Sequence, residues 1–518
     1  MASTYLTQAL HRAKALYPSR TATIYGGRRR TYAEFVDRVA RLAAGLRQVG
    51  VMPGDRVGVL AQNSDRYIEL YYAVWWTGAV INPCNTRWSP REIAYSLDDS
   101  KTSVLVVDDT FAPMVDDLAK RSDSLRTLIY AGDREAPAGM HIYEQLILDC
   151  APMADALRSN EDLAGIFYTG GTTGFPKGVM LTHSSLWSST VTIAEMVAPF
   201  ESVGLHSAPM FHLADGAFIL ALTLRGGTHV AIPGFDPNLV VDVIPKEKVT
   251  VTLMVPTMIQ MLVDHPKFDP PSMKSLTQII YGASPISEAL LYRAMDGLPE
   301  TKFTQAYGLT EMSPVISFLG SEHHVRDGKK IRSAGQPAFS VEVRIVDPEG
   351  NEVPRGTVGE ISARGPGVMQ GYWGKPDQTA AALRDGWLLT GDGAYMDDDG
   401  FIFVVDRVKD MIVSGGENVY SAEVENAVAQ HPAVASCAVI GIPNAQWGEA
   451  VHAVIVCAAG VEPPTCEEIR NHCRDLIATY KCPRSIEIKD ALPLSGAGKV
   501  LKTVLREHYW KEQERKVG

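Results

Sequence analysis

Residues 168–183 read YTGGTTGFPKGVMLTH and bring glycines, hydroxyls and a cation into one short stretch. Gly170, Gly171, Gly174 and Gly178 let backbone N–H groups close on an anion with no Cβ in the way. Thr169, Thr172 and Thr173 add O–H donors, and Lys177 adds a compact positive charge. This is equipment for holding a polyphosphate. It is not a Walker A loop, which needs Gly directly before its Lys and Ser or Thr directly after. Here Pro176 precedes Lys177 and Gly178 follows it. The competing reading is a hairpin turn with an incidental lysine.

Further stretches line up with this one. QAYGLTE spans 305–311, YGASP 281–285, WLLTGD 387–392, DRVKDMI 406–412 and PLSGAGKVL 493–501. Together they resemble the signatures of the adenylate-forming superfamily, which holds acyl- and aryl-CoA synthetases, luciferases and peptide-synthetase adenylation domains. The likeness runs from about residue 30 to about residue 505. One departure is Gly170, where the family usually carries Ser or Thr, so one hydroxyl is missing from the loop.

The resemblance implies a role for each stretch. The loop, from Thr169 through Gly170, Gly171, Thr172, Thr173 and Gly174 to Lys177, would hold the β- and γ-phosphates of ATP. Gly282, Ala283 and Ser284 would lie along adenine, followed by Gln305, Ala306, Tyr307 and Gly308. Tyr307 offers a flat face to a purine, Thr310 an O–H to the α-phosphate, and Glu311 a hard oxygen to Mg²⁺. Asp392 would clamp the ribose hydroxyls, with Arg407 as a fork donor to ribose and phosphate. Lys409 would be a hinge, and Lys499 a catalytic lysine carried into the site by a closing cap. His212 would gate the acyl pocket and counts as catalytic with Lys499, Thr310 and Glu311. Gly415, Gly416, Glu417, Trp447, Tyr480, Lys481 and Arg484 would meet CoA. Asp215 is open: it faces the pocket, or it is capped and solvated.

The elements that must position these groups alternate. Thr31–Glu34 and Ser89–Glu92 are capping boxes, the second with Pro90 at the first helical position. Strands are predicted over 56–60 and 103–107, and a helix begins at Ser64. Such alternation implies an α/β fold with a parallel sheet and helices on both faces, with Tyr71, Trp75 and Trp76 in the core. An amphipathic helix is expected near the start. The last hundred or so residues read as an α+β cap, with strands over 434–442 and 450–457 and helices over 465–478 and 501–514. The expected organisation is a large N-terminal domain of stacked mixed sheets (1–406), a hinge (407–409) and a small mobile C-terminal domain (410–518).

At 518 residues the chain exceeds what one core fills. Net charge is -11, which argues against a nucleic-acid surface, so positive charge for an anionic ligand must be local. No apolar run reaches the ~18–20 residues of a membrane span, and cytoplasm is the default. Seven cysteines without C-x-x-C spacing suggest reduced thiols. The run Asp397-Asp398-Asp399 reads as a solvated turn.

The resemblance thus implies an acid–thiol ligase with Mg²⁺-ATP, CoA as co-substrate and a hydrophobic carboxylic acid, a homodimer being left open. The apolar segments 211–224 and 315–318 favour a medium- or long-chain fatty acid. An aryl or hydroxycinnamate acid is the alternative, as is an enzyme loading a carrier protein. A non-catalytic nucleotide binder is a third class, against which Lys499, Glu311 and Asp392 together argue.

Overall fold

The computed structural model describes residues 3–169, 176–197, 201–407, 410–414, 417–444, 446–496 and 498–510. Helices start where the sequence places their caps. Thr31 accepts the Glu34 N–H while Glu34 takes the Thr31 N–H, opening Tyr32–Gln48. Ser89 and Glu92 do the same for Pro90–Asp99, and Ser64 caps Asp65–Thr77. Each cap is worth about 1 kcal/mol. The first helix, Gln8–Leu16, buries Ala9, Leu10 and Ala13. Arg56–Leu60 is the predicted strand, and its neighbour starts one residue late, as Val104–Val107. Tyr71, Trp75 and Trp76 are core, with the Trp75 indole N–H donating to the Ala164 carbonyl at 2.9 Å.

The fold is α/β, with a large N-terminal domain of mixed sheets and helices and a smaller C-terminal one. Among the described residues the large domain holds two big sheets, of nine and eight strands. In the nine-stranded sheet Lys302–Tyr307, Gln278–Gly282, Val251–Met254 and Val203–His206 run parallel in that spatial order. In the eight-stranded sheet Leu163–Thr169 pairs parallel with Val80–Pro83 and antiparallel with Lys177–Thr182. A third sheet carries Trp387–Met396 against Ile402–Arg407. The acidic run at 397–399 is the turn between these two strands, with Lys330 paired to Asp397 and Asp399.

In the C-terminal domain Val434–Asn444 and Gly448–Cys457 form one antiparallel pair, each longer than predicted. The helix predicted over 465–478 is Cys466–Arg474, after which the Leu476 N–H bonds only three residues back, to the Cys473 carbonyl, tightening the end. The last described helix is Lys502–Glu507, shorter than predicted, and 511–514 lie outside the described residues. All seven cysteines are free thiols.

Candidate active site

Two parallel strands end side by side, and the site is built on their carboxyl ends, where open α/β sheets leave a crevice. Gln278–Gly282 and Lys302–Tyr307 pair in register, with Gly282 opposite Ala306. A Cβ on Gly282 would fall 2.0 Å from the Ala306 carbonyl oxygen, and one on Gly308 would fall 2.0 Å from that of Pro314. Only glycine permits this approach. Ala283 then takes φ +65°, turning the chain away from the sheet toward Ser284. So 282–284 and 305–308 line one edge together, each half-buried.

From Gly308 the chain enters the short helical turn Thr310–Met312, with Thr310 and Glu311 both buried. The Tyr372 hydroxyl donates to Glu311 Oε1 at 2.8 Å. The Lys177 ammonium stands 4.9 Å from the centroid of the Tyr372 ring, a cation–π contact. Gly371–Tyr372 is itself a strand paired with Met180 and Val179, so the glycine hairpin and the Glu311 turn are tied through it. Burial pushes the Glu311 carboxyl above its usual range, while the Tyr372 hydrogen bond and the charges of Lys177 and Lys499 pull it back.

The phosphate-loop reading is half visible. Thr169 and Lys177 are opposite partners at the end of the hairpin Leu163–Thr169 and Lys177–Thr182. Gly170, Gly171, Thr172, Thr173 and Gly174 lie outside the described residues. The chain therefore leaves the loop into a strand, not into the helix that follows a Walker A loop. Lys409, Gly415 and Gly416 also lie outside the described residues, as does the side chain of Arg407.

Tyr307 and Asp392 meet: the phenol donates to Asp392 Oδ2 at 2.7 Å. Asp392 stands opposite Arg407 across the strand pair. His212 is the N-cap residue of the helix Leu213–Leu224 and is half-buried. Its pKa is pushed down to about 4, first by burial and then by the Lys499 ammonium. Lys499 comes from the C-terminal domain, and its charge lowers the pKa of both His212 and Glu311.

Asp215 answers to neither expectation. It is fully buried and bonds His206 Nδ1 at 2.9 Å; His206 Nε2 bonds His229 Nδ1 at 2.9 Å, and His229 Nε2 meets the Thr223 hydroxyl at 3.0 Å. The wiring has a direction. Thr223 spends its one proton on the Ile219 carbonyl, so it accepts from His229, which accepts from His206. His206 Nδ1 and Asp215 Oδ2 then share one proton, and the buried pair is neutral overall.

Of the residues expected to meet CoA, Trp447 lies under the Arg484 guanidinium at 4.5 Å, and the Lys481 ammonium pairs with Glu423 at 2.8 Å. Tyr480 and Glu417 are exposed. Tyr372 was missed in the sequence. It sits 61 positions from Glu311, and an aromatic after a glycine carries no signal of its partner.

A magnesium ion fits Glu311. Magnesium commonly takes one carboxylate and keeps waters and phosphate oxygens around it, and Glu311 offers such a carboxylate.

Comparison with known proteins agrees with this geometry. The family model described as AMP-binding enzyme matches residues 10–373, and that of the AMP-binding enzyme C-terminal domain matches 423–499. The chain is 41% identical over 501 residues to a feruloyl-CoA synthase of Amycolatopsis sp, covering 96% of this chain and 98% of that one. It is 35% identical over 505 residues to the fatty acid–[acyl-carrier-protein] ligase ScoC of Streptomyces coeruleorubidus, covering 96% and 95%. The o-succinylbenzoate CoA synthetase MenE of Bacillus subtilis, solved with its acyl-adenylate intermediate, superposes with a TM-score of 0.85 at 29% identity, covering 100% of both chains. The chain belongs to the AMP-binding enzymes of the adenylate-forming superfamily, among their acyl- and aryl-CoA ligases.

Proposed function

We propose that this ligase activates an aryl-propenoic acid of the ferulate type, forming its adenylate on the crevice at 282–284 and 305–311 and passing the acyl group to CoA. The observation that carries the two-step reading is Lys499, whose charge reaches Glu311 and His212 from a separate domain. The aryl choice rests on the 41% identical relative named for feruloyl-CoA.

A carboxylate oxygen is too poor a leaving group for a thiol to displace. In the first step it attacks the α-phosphorus of ATP, a P–O bond forms, and pyrophosphate leaves with the electrons of the broken bond. Charge develops on phosphoryl oxygens, so catalysis is positioning and electrostatics. Lys499 bridges the acid and the α-phosphate, Thr310 donates to the same phosphate, and Lys177 with the glycine hairpin holds the outgoing pyrophosphate. Tyr307 faces adenine, and Asp392 and Arg407 take the ribose. Glu311 holds Mg²⁺, which when bound with ATP neutralises phosphate charge. In the second step the CoA sulfur attacks the acyl carbon and AMP departs. The cap (410–518) turns on the hinge 407–409 against the body (1–406), withdrawing Lys499 and presenting Gly415 and Gly416, with Trp447 and Arg484 toward the nucleotide end of CoA.

CoA-dependent AMP release across ferulate, coumarate, benzoate and C8–C16 fatty acids tests the substrate. Ferulate-type acids should lead, and a preference for fatty acids would overturn the aryl reading. Lys499→Ala should slow adenylate formation by about 10²–10³ and spare acyl transfer from supplied acyl-AMP. Equal loss in both steps would refute the moving cap. ScoC supports a second reading, in which a carrier protein replaces CoA. AMP release unresponsive to free CoA would favour it.

A further inference from the structure

We infer that the turn after the strand Val80–Pro83, through Asn85 and Arg87, is a docking cradle that holds the lysine loop in its adenylate-forming position, with Arg87 a positioning residue for Lys499. The inference rests on the two-step reading above and adds to it the contact on the body that fixes where the lysine arrives.

The lysine loop is preshaped. Leu494 and Val500 bridge antiparallel, the Ser495 N–H donates to the Lys499 carbonyl at 2.7 Å, and the Lys499 N–H donates to the Ser495 hydroxyl at 3.1 Å. A closed turn of this kind moves as one piece, so fixing its tip fixes the lysine. Two parts of the large domain grip that tip. On one side the Arg87 guanidinium donates to the Ser495 carbonyl at 2.8 Å. The Asn85 side chain lies so close to Gly496 that a Cβ there would stand 2.6 Å from the amide nitrogen. Asn85 is not loose: its Oδ1 accepts the Arg87 N–H at 3.0 Å, so the two cradle residues orient each other. On the other side Gly498, at φ +77°, presses on Val255, where a Cβ would come within 3.0 Å of Cγ2. Gly498 is favoured by its own positive φ, and a Cβ on Gly496 would have to push the Asn85 amide aside.

These contacts belong to one position of the cap. A cap that turns to admit CoA carries 495–499 away and breaks the Arg87 bond, so the cradle stabilises the first half-reaction and has no part in the second. A charge-assisted hydrogen bond to a carbonyl at a half-open surface supports a change of about five- to tenfold.

The test measures acid-dependent ATP–pyrophosphate exchange and, separately, thioester formation from supplied acyl-AMP and CoA. Arg87→Ala should slow exchange about five- to tenfold and leave the second reaction within about twofold. Arg87→Lys, which retains a cationic donor, should recover part of the loss. Gly496→Ala should slow exchange alone, and Asn85→Gly in the same chain should restore it by removing the atoms its Cβ meets. Equal losses in both half-reactions, or no loss in either, would overturn the cradle while the wild type still exchanges. A wild type that exchanges with no acid at all would overturn the two-step reading itself, and the cradle with it. A Gly496→Ala chain not restored by Asn85→Gly would refute the packing against Asn85.

Discussion

At the scale of single residues, His212 lies within reach of the Lys499 charge. His212 titrates at about 4 against an ordinary 6.5, so the unfolded chain binds its proton more readily. Its contribution to stability is present above pH 6.5 and is lost as pH falls from there toward 4. Lys499 is one cause of the shift, so Lys499→Ala should raise the His212 pKa, as read by NMR titration of the imidazole; an unmoved value would mean that the ammonium does not enter the pocket. Tyr372→Phe removes the donor to Glu311 and leaves a buried carboxylate oxygen unpaired. Loss of about 1–3 kcal/mol is expected at such a site, seen as a weaker Mg²⁺-ATP requirement curve with the acid's KM unchanged. Lys499, Glu311 and Asp392 were nameable because the runs around them carry the family resemblance. The sequence hid Tyr372 and Arg87, since pairs 61 and 408 positions apart leave no mark in local spacing. Asp215 was visible as a residue but not in its direction, because His206 reaches it from one strand and is itself bonded by His229 from the next.

At the scale of elements, the close ends of Gln278–Gly282 and Lys302–Tyr307 set the floor of the crevice. Gly282→Ala should lower the melting temperature and the activity together. Its Cβ would need the 2.0 Å gap to the Ala306 carbonyl to open, and overpacking of this kind costs about 1–3 kcal/mol. Unchanged melting with normal turnover would show that the strands tolerate separation. Capping boxes made the helix starts readable, because Ser or Thr with Glu three residues on satisfies two orphan N–H groups in one local exchange. Helix ends were less readable. The tightening after Arg474 depends on the Leu476 N–H choosing the Cys473 carbonyl, three residues back.

The whole molecule is two domains meeting at a working crevice. Replacing Lys409 by proline would fix φ where the chain is proposed to swivel. Thioester formation should fall far more than pyrophosphate release, and an unchanged ratio would count against the hinge. The seam between the domains bears on what the proposed swing would cost. Among the described residues every apolar cluster closes within one domain. What crosses includes Gln260 to the Ala435 carbonyl, Asn426 to Glu288 and the Ser421 N–H to Asp406. Water can replace each of those partners as the surfaces part. On the proposed swing, the two poses would lie within a few kcal/mol of each other, a gap that the exchange of pyrophosphate for thiol would tip.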